Sequence, residues 1–196
     1  AGEFVRTGLL TAVGEVNSHG GINGRPLGIV LEDDACDPKR AVTSFSKLAE
    51  VDRVQIIVGP FCSGSALSTA QFANEKQIIQ LSSGAASPLM TGAGDYVFRV
   101  TPSDIFQARF IASEIQKRHQ RVAVLYVQIQ QATDMKDAFV KSFPGTITAL
   151  EPFSEGDSDV RTQLEKIKES GPEALLILVF PAQYGLVTKQ IIEMGL

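Results

Sequence analysis

Ser63 is the residue whose surroundings most invite a chemical role. It stands in Phe61-Cys62-Ser63-Gly64-Ser65, just after Gly59-Pro60 ends a β-branched run and just before a small-residue segment. A serine at a strand-to-helix turn could be a nucleophile, as in α/β-hydrolases. That elbow needs glycine two residues before the serine, and this chain has Phe61 there. The two histidines, His19 and His119, fall in a helix-end turn and a basic crossover, so neither is placed as a base. Another role fits better. A hydroxyl beside the free N–H groups of a helix N-terminus can hold a carboxylate, and a plain capping role for Ser63 is compatible with it.

Ser82-Ser83-Gly84-Ala85-Ala86-Ser87-Pro88 is the matching loop after the next strand. Its small side chains leave backbone N–H and C=O groups open to a ligand; the alternative is a simple connector. Cys36 and Cys62 are two buried hydrophobes, a disulfide or a reactive thiol, and composition does not choose among them. Two Cys and two His without metal-ligand spacing speak against a zinc site. Gly20-Gly21-Ile22-Asn23-Gly24 follows a helix and lacks the dinucleotide spacing, so it reads as a turn.

The elements that must position these residues alternate between helix and strand. Val5, Leu9, Val13 and Val16 share one helical face, which ends at Asn17-Ser18-His19-Gly20-Gly21. Leu27–Leu31 reads as a short strand, and Asp37-Pro38 starts a helix with a cap and a first-turn proline. Val54–Val58 reads as a strand buried on both faces, Ser63–Lys76 as a helix, and Ile78–Leu81 and Tyr96–Val100 as strands. Thr101-Pro102-Ser103-Asp104 has a capping-box pattern ahead of Ile105, Ala108, Ile111 and Ile115. Strands over Val122–Tyr126, Thr146–Leu150 and Ala174–Val179 then alternate with helices. These helices cover about Thr133–Phe143, a segment capped by Asp157 or Ser158 with Val160, Leu164 and Ile167 inward, and Ala182–Met194. Such repeats mean parallel sheets covered by helices. Ligands then bind beyond the carboxyl ends of the strands, at Gly59–Ser65, Ser82–Ser87 and Phe180–Gln183.

With 196 residues, 44% of them hydrophobic and 20% charged, the composition is that of a globular chain. The net charge, 18 − 22 = −4, comes without any basic block, so a nucleic-acid partner is not expected. The longest apolar run, Ala174–Phe180, is far shorter than a membrane helix. No charged segment followed by an apolar one opens the sequence, so any signal peptide is expected to be already removed or outside this stretch.

The stretches EVNSHGGINGRPL, LEDDACDPKRAV, IIVGPFCSGSAL, SSGAASPLMTGAGDYVFRVTPSD and KQIIEMGL together resemble the branched-chain amino-acid binding proteins of bacterial ABC importers. These are type I periplasmic binding proteins. The likeness runs in order along essentially the whole chain and is densest from Glu15 to Asp104. It implies an α/β fold of two flavodoxin-like lobes with parallel sheets, residues 1–119 in the first lobe and 120–196 in the second. Both lobes are expected to be incomplete, because the family begins with a strand ahead of the first helix and continues well beyond EMGL.

The resemblance also assigns residues. Relatives with DDACDPK and CS at these places join the two cysteines, which implies a Cys36–Cys62 disulfide and an oxidising compartment. Ser63 stands where the family binds the ligand α-carboxylate, and Ala85 and Ala86 where it contacts carboxylate and ammonium. Ala86 replaces a common threonine, with Ser87 as the neighbouring hydroxyl. Gln131 lies where the family carries an aromatic residue, and Phe180 follows the third strand of the second lobe. The losses at Ala86 and Gln131 point away from free α-amino acids and toward amides, urea or aromatic acids as rival ligands. The implied function is that of an extracytoplasmic solute-binding component of an ABC importer. It would capture a small polar metabolite, foremost a branched-chain amino acid or a related compound (an amino acid, amide or small acid), and deliver it to a membrane permease. No cofactor and no catalysis are expected, and a lipid anchor in a longer protein is compatible with this reading. The rivals are a ligand-sensing ectodomain or regulator of the same fold and a doubly wound hydrolase using Ser63.

Overall fold

A computed structural model describes residues 2–196. The chain divides into two compact units after Thr101, not near His119 where the lobe boundary was expected. The helix Asp104–Ile115 accounts for the difference. Its small-residue face, Ala108 and Ala112, is buried in one cluster with Val122, Val124, Met135 and Phe139 of the second unit.

The first unit opens with α1 (Gly2–Ser18). Val5, Leu9, Val13 and Val16 are its half-buried apolar positions, as their spacing requires, yet no residue of the helix is fully buried. Gly21, at φ +72°, ends the turn that follows; a Cβ there would lie 2.0 Å from the Arg25 carbonyl oxygen. Leu27–Leu31 forms no strand. Its start is tied instead to α1: Asn17 Nδ2 donates to the Leu27 carbonyl (3.0 Å) and Leu27 N–H donates to Asn17 Oδ1 (2.7 Å). An apolar segment becomes a strand only where a neighbouring backbone takes its hydrogen bonds, and none is hydrogen-bonded alongside it among the described residues.

α2 (Pro38–Ser46) begins as its sequence requires, with Asp37 Oδ1 accepting from Arg40 N–H at 2.8 Å and Pro38 in the first turn. A single π-helical turn, Lys47–Val51, continues it. Three parallel strands follow in sequential order: β1 (Ile56–Val58), β2 (Ile79–Ser82) and β3 (Val97–Arg99). α3 (Ser63–Lys76) spans the residues its pattern indicates. Ala66, Ala70 and Ala73 of α3 pack with Phe45, Ile57 and Ile78 in one core. Buried Gln80 braces the same contact: Thr69 Oγ1 lies 3.0 Å from its Oε1, and its Nε2 donates to the Ala66 carbonyl at 2.8 Å. The expectation that Val54–Val58 is buried on both faces fails. Ile57 faces the core while Ile56, Val58, Ile79 and Phe98 are exposed, because α3 covers one face of this sheet and no element among the described residues of this unit buries the other.

The second unit holds α4 (Asp104–Ile115), β4 (Arg121–Val127), α5 (Gln130–Ser142), β5 (Thr146–Phe153), α6 (Arg161–Glu169), β6 (Ala174–Leu178) and α7 (Pro181–Glu193). Its sheet is parallel in the order β5-β4-β6. The central strand is apolar on both faces: Val122 and Val124 pack toward α4 and α5, and Ala123, Leu125 and Val127 toward α6 and α7. Two expected caps do not form. Ser103, not Thr101, precedes α4 and makes no side-chain capping bond, so the capping box is absent. Asp157 accepts from Ser154 N–H (2.7 Å), so it serves a turn and not α6. Arg161 N–H bonds Asp159 Oδ1 (3.0 Å), and the N–H of Val160, just ahead of α6, is served from thirty residues away: Gln190 Oε1 accepts it at 2.7 Å. Val160, Leu164 and Ile167 do point inward, as their spacing requires. Among the described residues no helix is long and apolar enough to cross a membrane.

Candidate functional site

In the first unit the loops after β1 and β2 lie side by side because their strands pair in parallel, Val58 beside Leu81. Three contacts join them. Ser82 Oγ donates to the Pro60 carbonyl at 2.6 Å. Ser87 N–H donates to Ser63 Oγ at 3.3 Å. The Phe61 ring lies so close to Gly84 that a Cβ there would meet it at 2.3 Å, which explains a glycine with no unusual φ. Arg99 of β3 then holds the far end of the second loop, its guanidinium donating to the Ser87 carbonyl and to Thr91 Oγ1 (2.7 Å).

These contacts bring Ser63, Ala85, Ala86 and Ser87 together at the carboxyl ends of two adjacent strands, the position that parallel α/β sheets offer to ligands. Ser63 is 2% exposed and sits in the first turn of α3, whose N-terminus has no side-chain cap. The N–H groups of that turn and the helix dipole favour an anion. Ser87 is engaged otherwise: its Oγ accepts from Leu89 N–H at 3.2 Å and caps the 3-10 turn Pro88–Gly92. Ala85 is buried, with its N–H donating to Ser82 Oγ at 3.0 Å. The Cys36–Cys62 disulfide closes next to Ser63, with a Cα separation of 5.4 Å, and ties the start of α2 to that of α3. It settles the cysteine alternatives. Ahead of it, Ala35 and Cys36 hold positive φ angles, and their N–H groups bond to Asp33 Oδ1 (2.9 Å) and Asp34 Oδ1 (3.0 Å).

In the second unit the strand order reverses at β4: the chain moves to β5 on one side and then crosses to β6 on the other. A crevice at such a reversal is the second place where ligands bind. Gln131 lies in the first turn of α5, after β4, and Phe180 is the N-cap residue of α7, after β6. Both are partly exposed, at the carboxyl ends of paired strands. Sequence reasoning missed Arg99, which holds the second loop and which no motif marks.

Charge is arranged at the opposite end of this sheet. Glu173 Oε2 accepts from Gln120 N–H (2.7 Å) and Arg121 N–H (3.4 Å), and these bonds hold its pKa below the ordinary value. Arg121 in turn donates to the Gly171 and Ser170 carbonyls. Asp159 is likewise lowered, chiefly by the N–H of Arg161.

Two units built on parallel sheets, with small, polar loops at adjoining strand ends, define the class: an α/β fold of the periplasmic-binding type. The chain belongs to the periplasmic binding protein family, whose model matches residues 1–196. It is 30% identical to the leucine-, isoleucine-, valine-, threonine- and alanine-binding protein of Pseudomonas aeruginosa, over 100% of this chain and 54% of that protein. Among solved structures it is similar to the branched-chain amino-acid transporter substrate-binding protein LivJ of Streptococcus pneumoniae, in complex with isoleucine. That match has a TM-score of 0.84 and 28% identity, and covers 94% of this chain and 54% of the other. The type 1 periplasmic binding protein of Bordetella pertussis shares the fold at a TM-score of 0.90 and 20% identity, covering 99% and 55%. The chain spans about half the length of the curated relatives it matches.

Proposed function

We propose that the chain is part of an extracytoplasmic solute-binding component of an ABC importer, which captures a branched-chain amino acid or a closely related small metabolite and passes it to a membrane permease. The observation that carries this is the state of Ser63. Its oxygen accepts the Ser87 N–H, which leaves its hydroxyl proton as a donor beside the uncapped start of α3. A hydroxyl donor and a helix N-terminus together suit a carboxylate, the group every α-amino acid carries. The Pseudomonas aeruginosa and Streptococcus pneumoniae relatives are branched-chain amino-acid binding proteins by name, which supports the same class of ligand.

Capture in this reading needs no bond to be made or broken, and the protein acts by binding alone. Ser63 Oγ is bonded to a backbone N–H, not to a histidine, so it lacks the base that a nucleophile requires. The resemblance supports Ala85 and Ala86 as contacts for the ligand's polar end; Gln131 and Phe180 are the strand-end residues of the second unit that it singles out. An oxidising compartment outside the cytoplasm accords with the Cys36–Cys62 disulfide.

Isothermal titration of the purified protein with L-isoleucine, L-leucine and L-valine tests the proposal. Saturable binding that weakens in Ser63→Ala supports it. Absence of binding to all three, or ester or amide turnover that depends on Ser63, overturns it.

A further inference from the structure

Three glutamines of this protein are almost fully buried, and two of them are braced. Gln80 bonds Thr69 and the Ala66 carbonyl, and Gln190 bonds Val160 N–H and the Ser158 carbonyl at 3.4 Å. The third, Gln183, is 6% exposed, and its Oε1 is buried without a hydrogen-bond partner among the described residues. It holds the third position of α7, from which a glutamine can reach back to the N–H of the N-cap residue. That residue is Phe180, and the side-chain bond is not made; the Phe180 carbonyl instead accepts from the backbone N–H groups of Gln183 (3.0 Å) and Tyr184 (3.2 Å). A buried carbonyl oxygen left open is costly, and this one lies where β6 ends beside β4, at the reversal of strand order.

We propose that Gln183 is a ligand-contacting residue, whose side-chain oxygen selects for a hydrogen-bond donor on the bound molecule; this rests on the binding function proposed above. A carboxamide oxygen only accepts. Its complement is therefore an ammonium or amide N–H, and a bare carboxylic acid offers nothing to it. At the start of α7 it adds a neutral acceptor where the helix itself presents donors, so this end of the crevice can satisfy a donor as well as an anion.

The test compares wild-type protein with Gln183→Leu and Gln183→Glu, titrated with L-leucine, isocaproate (leucine without its ammonium group) and isocaproamide. Thermal unfolding is recorded for each variant, and Gln183→Met replaces Gln183→Leu if the latter does not accumulate. The expected result is a loss of roughly tenfold or more for leucine in Gln183→Leu, little change for isocaproate, and recovery in Gln183→Glu, which keeps an acceptor. If wild type takes isocaproamide and not leucine, and Gln183→Leu loses that binding, the role of Gln183 stands while the amino-acid reading falls. Equal loss for all three compounds, no loss for any, or wild-type binding of isocaproate alone or of none overturns the role of Gln183.

Discussion

Ser87 N–H donates to Ser63 Oγ across 3.3 Å, and this bond joins the loops that follow β1 and β2. It sets the polarity of the serine. An oxygen that already accepts from the backbone offers its proton outward, so the side chain meets an acceptor and not a donor. The same bond gives Ser63 a structural share in positioning Ala85 and Ala86.

Ser63→Ala removes both roles. Binding of leucine or isoleucine is expected to weaken by about 1–3 kcal/mol, the range for a hydrogen bond to a charged group. Calorimetric titration measures it. A fluorophosphonate probe is expected to leave Ser63 unlabelled, since no base activates it.

The Cys36–Cys62 link closes a loop with a sequence separation of 26. Chain entropy alone gives it a stabilising effect of roughly 3 kcal/mol. Thiol titration of the denatured, unreduced protein should find no free thiol. Reduction should lower the unfolding midpoint of the first unit in a denaturant series followed by two probes, one in each unit.

Gln190→Leu leaves the buried Val160 N–H without its acceptor. The expected cost is about 1–3 kcal/mol of second-unit stability. Hydrogen exchange at Val160 should quicken by the corresponding factor, with binding loops of the first unit unaffected.

Glu173 makes the second unit sensitive to acid. Its carboxylate is stabilised in the folded state by the Gln120 and Arg121 N–H groups, so its folded pKa lies below its unfolded one. That contribution is fully present above the unfolded pKa, in the ordinary glutamate range, and is lost as pH falls through the folded pKa. Glu173→Gln should therefore melt below wild type at neutral pH, and the gap should shrink as the pH drops below that range. Thermal melts across an acid series check the sign.

Much of this protein was legible in sequence where the governing interactions are local. Asp37 lies within three residues of the N–H it caps, and Val160, Leu164 and Ile167 lie on one face of a single helix, so spacing alone reveals them. The α3 span and the prominence of Ser63 follow from the run of small residues after Gly59-Pro60. The pairing of the two cysteines came from likeness to a family and not from spacing.

What only the tertiary structure decided are the bonds between residues far apart in the chain. Leu27–Leu31 has the composition of a strand, but strand formation depends on a partner backbone, and Asn17 took the polar groups of Leu27 instead. Asp157 and Ser158 have the chemistry of caps, yet Gln190, brought in by the packing of α7, serves the Val160 N–H. The unit boundary moved to Thr101 because Ala108 and Ala112 found a complementary surface in the second unit. Sequence spacing reports which face a helix can bury and where a chain can turn. Which buried polar atom meets which partner, and which, like Gln183 Oε1, meets none, depends on distances that exist only after the elements have packed.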